Sequence, residues 1–277
     1  MFRSKFMNSL TQLTLNRPFS TKPRSRRLTR NHRRCRTEQL EVRQLLTGDF
    51  LWATKFTGLQ EDSVIAVAVD DTGNVYSTGS FSGTIDMNPG SGVLQFTSIG
   101  VSDGYVTKQD PDGNLIWARQ IGGVGKDIGL DPSGNVVVVG GFTGTGDFNP
   151  SAATFSMTSA GSIDIFVCKL NSDGNFVWAR RMGGLGADAA EAVAVSGAGH
   201  VYSTGSFMET ADFGATTVTG GFAPDVFVSM ISSSGDHFWV RAFGGTGIDG
   251  GTGIDVDSTG DVVVAGCLPI WCSSEGT

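Results

Sequence analysis

From residue 64 onward, short apolar runs alternate with polar, glycine-bearing turns. No apolar stripe at 3.6-residue spacing persists across any window, and helix-favouring Leu, Glu and Lys are scarce, so the pattern predicts strands throughout. The first stretch holds VIAVAV (64–69), NVYSTGSF (74–81), GYVTK (104–108) and NLIWAR (114–119), all short and rich in β-branched or aromatic residues. Between them lie turns of one type. DDTGNV, DPSGNV, SGAGHV and DSTGDV form one series, and DPDGNL, NSDGNF and SSSGDH a second. Asp or Ser caps such a turn through its side chain, and glycine supplies the positive φ that sends the chain into the next strand. Val136–Val139 is apolar on both faces, which suits strands sandwiched between neighbouring sheets.

The pattern repeats. Trp52, Trp117, Trp178 and Trp239 are 65, 61 and 61 residues apart, and Gly73, Gly134, Gly199 and Gly260 keep step. Units therefore fall near 50–113, 114–174, 175–235 and 236–277, within a repeat domain spanning 49–277. Sheets stacked around an axis bury both faces of every strand, so the expected fold is an all-β, propeller-like array of four-stranded blades. It numbers about three and a half to four repeats, either incomplete or closed as four blades with strand 50–56 completing the last. Two irregularities stand out. Asp127 to Gly134 is seven residues where the other units have eleven, so the second unit is expected to lose most of its first strand; after Gly266, CLPIWCSSEGT departs from the repeat.

Trp178, Gly183, Gly184, Asp188, the run AVAV (192–195), Gly199, Val201 and Tyr202 together resemble the seven-bladed β-propeller repeat family. That resemblance covers 50–267 and implies four-stranded blades in an extracellular protein, with no particular reaction. Residues 1–48 differ in kind. Residues 1–45 hold 12 Lys/Arg against Glu38 and Glu41, leaving the remainder of a chain of net charge −7 at about −17. So acidic a body repels phosphate backbones, and the folded domain is not expected to bind nucleic acid. The arm lacks the apolar core of a secretory signal and reads as a disordered basic segment. Its end, Glu38-Gln39-Leu40-Glu41-Val42-Arg43-Gln44-Leu45-Leu46, resembles the L-E-x-R-x-L-L leader of planctomycete surface proteins, which implies export to the cell surface or beyond. No stretch is apolar for the roughly 18 residues that a membrane-spanning helix needs.

Chemistry has few places to reside. Asp62, Asp127, Asp188 and Asp249 each follow a tryptophan by ten residues. On the link between blades they would approach one another at the channel mouth, where four carboxylates could hold calcium; the plainer role is capping backbone N–H groups where a strand begins. GGVGKD, GGLGAD and GGTGID match a calcium-binding β-helix motif but lack its nine-residue recurrence. The turn at Asp110 places Ile121 where an EF-hand needs Glu, and Gly245, Gly247 and Gly250 precede no helix that could present its N-terminus to a phosphate. Asp86, Asp147 and Asp212 read as turn caps. The tryptophans read as packing between blades and not as sugar platforms. With three histidines, His32, His200 and His237, no catalytic triad or histidine metal site is credible, and the four cysteines show no C-x-x-C spacing. Lys126 and Glu191 are the only fair examples of polar residues that break the repeat's symmetry in a single copy, as a catalytic site would require. The reading is an exported binding or scaffold module with a protein or carbohydrate ligand at a loop face and possible stiffening by calcium, and no catalytic role. The alternatives are a propeller enzyme acting on glycans, as lyase or hydrolase, and a nonfunctional fragment of a larger propeller.

Overall fold

The computed structural model describes residues 52–267. The basic arm, its leader-like motif and Cys272 lie outside the described residues. Twenty-one strands and no helix occur among those described, so no helix there is long and apolar enough to cross a membrane.

Three complete blades follow one another. The first is β2 (Asp62–Val69), β3 (Val75–Phe81), β6 (Asp103–Gln109) and β7 (Leu115–Ile121). The second is β8 (Val124–Leu130), β9 (Val136–Phe142), β12 (Asp164–Leu170) and β13 (Phe176–Gly184). The third is β14 (Ala189–Val195), β15 (Val201–Phe207), β18 (Asp225–Ile231) and β19 (His237–Phe243). Within each, strands pair antiparallel in sequence order. A fourth blade is represented by β20 (Gly250–Val256) and β21 (Val262–Cys267). Short strands decorate one side: β1 (Thr57–Gly58) with β4 (Thr84–Asp86) and β5 (Gln95–Thr97), β10 (Thr145–Asp147) with β11 (Ser156–Thr158), and β16 (Thr210–Asp212) with β17 (Thr217–Thr219). The chain is thus an all-β, propeller-like array.

The turn chemistry is as the residues dictate. Asp70, Asp110 and Asp131 each accept amide hydrogen bonds two and four residues ahead, while Gly73, Gly113 and Gly134 hold φ near +80°. Asp70 is held below the ordinary carboxylate range: burial acts against the charge, but Asn74 and Thr72 outweigh it with hydrogen bonds.

Blades stack through two apolar layers. One joins Trp117, Phe142, Phe148 and Phe166; the other joins Trp178, Val193, Phe207 and Phe227. Trp117 and Trp178 lie on the last strands of the first and second blades and donate their indole N–H to the third turn of the blade that follows, Trp117 to Ser172 O at 3.1 Å and Trp178 to Ser233 O at 3.1 Å. Trp52 does the same to Pro111 O at 2.8 Å. Residues 52–56 belong to no strand, so the closing strand expected there is not paired. Val67 and Val69 on the leading face of the first blade are exposed, whereas their counterparts Val193 and Val195 pack toward Gly129 of the blade before.

Every first strand carries a one-residue bulge at the same place, between Val64 and Ala66, Gly125 and Asp127, Ala190 and Ala192, and Gly251 and Gly253. A bulge turns the extra side chain out of the ladder and tightens the twist. This register corrects the expectation for the second blade. Its first strand is complete, because Val124–Leu130 pairs with β9 over the same span as Ala189–Val195 pairs with β15. The four residues are missing from the link before the strand instead.

Candidate functional site at the first blade junction

The intact links show what the missing one would do. Between the second and third blades the chain passes through Gly184, Leu185, Gly186, Ala187 and Asp188. It lies on the loop that precedes β12: Ile163 bridges Ala187, and Asp188 N–H donates to Ile163 O at 2.8 Å. The Asp188 carboxylate then accepts Gly184 N–H at 2.7 Å and Met208 N–H at 2.9 Å. Burial raises its pKa, those bonds oppose the shift, and neighbouring Asp164 adds to it. The next link repeats the arrangement, with Asp249 N–H on Pro224 O at 2.8 Å and Gly245 N–H on Asp249 Oδ2 at 2.9 Å.

Asp62 and Asp188 therefore stand at equivalent positions, opposite or beside Phe81 and Phe207. The equivalent place in the second blade belongs to Gly123. Asp127 sits four residues further on, at the position of Ala66 and Ala192. It ties two blades together instead, accepting Val193 N–H at 2.8 Å and its neighbour Ile128 N–H at 2.9 Å. Burial raises its pKa, and both bonds oppose that. Asp127 and Asp188 both serve the junction of the second and third blades and Asp249 the next, and the four aspartates do not form a ring. Among the described residues no three His, Cys, Asp or Glu side chains lie close enough to share a metal ion, so this donor set does not fit calcium.

A second acidic series escaped the sequence reading. Asp103, Asp164 and Asp225, at the first position of each third strand, are all buried. Each accepts an amide four residues back: Ile99 N–H at 3.0 Å, Ala160 N–H at 3.0 Å and Gly221 N–H at 2.8 Å. The fourth strand supplies a different partner in each blade. Gln120 donates to Asp103 at 2.5 Å and Arg181 forms an ion pair with Asp164 at 2.6 Å, while Ala242 offers nothing to Asp225. The signal was present as D-x-[YF]-V at a spacing of 61.

With no link at the first junction, the loop it would cover is left bare. Ile99 and Val101 are 82% and 94% exposed, and Gly100 has open space where a Cβ would stand, whereas its counterpart Gly161 lies against the Leu185 carbonyl of the intact link. A cleft of about 820 Å³ opens there, walled by Ile99, Val101, Gly123 and Thr145, with Lys126 and Glu191 on its inner side. These last two are the bulge residues of adjacent first strands, and their charges meet at 3.8 Å. The symmetry-breaking pair and the symmetry-breaking deletion thus share one site. No aromatic platform is available in it, because Trp117 and Trp178 are buried between blades and Phe142 lies in the core.

No family model matches the chain. It is 29% identical over 193 residues, 59% of its length, to an uncharacterised WD repeat-containing protein of Acanthamoeba polyphaga mimivirus. It is 28% identical over 185 residues, 64% of its length, to the regulatory protein FlaEY of Caulobacter vibrioides. The chain spans only 14% and 18% of those relatives' own lengths. The WD-repeat likeness agrees with the propeller-like array and with a binding or scaffold module.

Proposed function

We propose that the chain is an exported or cell-surface propeller module that binds an extended protein segment in the cleft at the first blade junction, and that it acts by binding and not by catalysis. The observation that carries this reading is the coincidence of the missing link, the bared Ile99–Ser102 loop and the Lys126–Glu191 pair in one cavity. Exposed aliphatic side chains beside polar backbone favour a peptide; a sugar is served best by aromatic stacking, which the cleft lacks. Its carboxylates are committed to structure. Asp103 caps Ile99 and holds Gln120, Asp147 caps Asn149 and Phe155, and Glu191 faces Lys126, so no acid–base pair is left to cleave a glycan. Export rests on the likeness of residues 38–46 to the planctomycete leader and of 50–267 to the seven-bladed repeat family.

The test inserts Leu-Gly-Ala-Asp between Gly123 and Val124, restoring the link in the form of residues 185–188. Peptides selected by display against the native chain should lose binding to this variant while its thermal midpoint is unchanged or higher. Retained binding would remove the cleft from the account, and selection of glycans but no peptides on arrays would replace the ligand class.

A further inference from the structure

The cleft at the first blade junction also indicates which side chain its occupant presents, an inference that rests on the peptide-binding reading above. The chain's own links define the contacts. In the intact junctions the link Asp donates its N–H to the residue before the third-strand Asp: Asp188 to Ile163 O and Asp249 to Pro224 O, both at 2.8 Å. The link side chain takes the amide that follows the second strand, as Asp188 Oδ1 takes Met208 N–H at 2.9 Å and Asp62 takes Ser82 N–H. At the first junction those two places belong to Ser102 and Thr143, and both line the cleft. Ser82 and Met208 are half-buried beside their carboxylates, whereas Thr143 is exposed. Asp127 does not reach it, because its oxygens are directed to Ile128 N–H and Val193 N–H.

The third-strand acid differs as well. At the second junction Asp188 Oδ2 and Asp164 Oδ1 stand 2.8 and 3.2 Å from the place a Gly183 Cβ would take. Two carboxylates thus face each other there, and the Arg181 ion pair with Asp164 offsets their repulsion. Asp103 has Gln120 in place of that cation, and its hydrogen bonds from Ile99 N–H and from Gln120 both fall on Oδ2. Oδ1 is left without a donor among the described residues. Asp164 Oδ1 and Asp225 Oδ1 are likewise without partners but are buried, whereas Asp103 borders the cleft. An occupant therefore meets a carboxylate oxygen with no cation, next to an amide open to an acceptor. Aspartate repels the first, lysine and arginine cannot serve the second, and asparagine serves both at the length of the link Asp. Asp249 is held beside Asp225 without a cation, but the chain tethers it there, and a free segment has no such tether.

We propose that the cleft selects an extended segment carrying a Gly-small-Asn step. The Asn main-chain N–H donates to Ser102 O, its side-chain oxygen accepts Thr143 N–H, and its side-chain amide donates to Asp103 Oδ1. Gly and a small residue before the Asn follow from Leu-Gly-Ala-Asp at 185–188, where Gly186 passes against Met208 and Ala187 bridges Ile163. Main-chain pairing along the loop supplies affinity, and the one buried polar side chain supplies the choice of sequence.

The probes are labelled synthetic peptides with the sequence of residues 183–192, unchanged or carrying Asp188→Asn, Asp188→Leu or Asp188→Lys, titrated into the full chain near neutral pH and followed by anisotropy. The Asn peptide should bind about tenfold tighter than the other three, the worth of one hydrogen bond to a charged group. It should not bind the chain that has Leu-Gly-Ala-Asp inserted after Gly123. Gln120→Arg gives Asp103 the cation that Asp164 has, and should erase most of the preference for Asn over Asp. Equal binding of the four peptides, or a preference that Gln120→Arg leaves unchanged, would overturn the asparagine assignment while leaving the cleft as a peptide site. Failure of the Asn peptide to bind a chain that melts cooperatively would overturn it too. Binding of the Asn peptide that the insertion leaves intact would instead remove the cleft, and both readings with it.

Discussion

The pair Lys169–Asp131 permits a sharp test of how the blades are held. Lys169 Nζ lies 2.8 Å from Asp131 Oδ2, and both side chains are only 5% exposed. Burial acts against the Asp131 charge, but the Lys169 and Asn135 hydrogen bonds outweigh it and hold the carboxyl below its ordinary range. The third blade solves the same position without charge, placing Met230 where Lys169 stands and Ser196 where Asp131 stands. Lys169→Met alone leaves a buried carboxylate without its cation, which costs about 3–5 kcal/mol in general. The low end, about 3 kcal/mol, applies here because Asp131 keeps Ser133 N–H, Asn135 N–H and the Asn135 amide. That corresponds to a fall in Tm of about 6–12 °C. The double variant with Asp131→Ser copies the third blade and should come within about 1 kcal/mol of the native chain, recovering about 2 kcal/mol of the loss in the single variant. Because the folded pKa of Asp131 is depressed, its contribution is fully present above the unfolded value of about 3.9 and is lost as pH falls through the folded one. Denaturant melts between pH 3 and 7 should show that loss in the native chain and less of it in Lys169→Met. A single variant as stable as the native chain, or a double variant no better than the single, would refute the reasoning.

Other outcomes follow from local geometry. Burial lowers the His237 pKa against the opposing pull of Asp212, and neither ring nitrogen has a partner. The folded state therefore resists protonation and stability falls as pH drops below the unfolded value of about 6.5; His237→Leu, the residue of the first blade, should flatten that slope and raise the midpoint. Glu209 holds φ 58 where the other blades have Gly83 and Gly144, so Glu209→Gly should gain about 1 kcal/mol by removing left-handed strain. Asp225 Oδ1 is buried without a partner, and Ala242 occupies the place from which Arg181 serves Asp164. Ala242→Arg should then stabilise by about 1–2 kcal/mol in urea melts at low salt, and a neutral result would mean the guanidinium does not reach.

Much of the fold was legible because its determinants are local. Asp-capped glycine turns, β-branched runs and the 61-residue beat of tryptophan predict strands, blades and an array, and the indoles lie between blades as that beat implies. The site was less so, and the reason is register. Counting ten residues from Trp117 selects Asp127, but the count cannot say where four residues were lost. Had they come from the strand, Asp127 would begin it. The pairing of Val136–Val139 with Asp127, Ile128, Gly129 and Leu130 assigns the loss to the link and leaves Gly123 at the start. Lys126 and Glu191 were visible as broken symmetry, yet their partnership needed the bulges that turn both side chains the same way. The cleft itself has no residues to read, since it consists of an absence. Asp103, Asp164 and Asp225 were readable at constant spacing, but a carboxylate at the head of an apolar strand looks like a solvated terminus until its loop amide is seen.

Amide hydrogen exchange resolved by peptide tests the central claim, that the deletion took the link and spared the strand. The account predicts that 124–130 is protected as strongly as 189–195, while 100–102 exchanges faster than its covered counterpart 161–163. Rapid exchange across 124–130, or equal protection of the two loops, would contradict it.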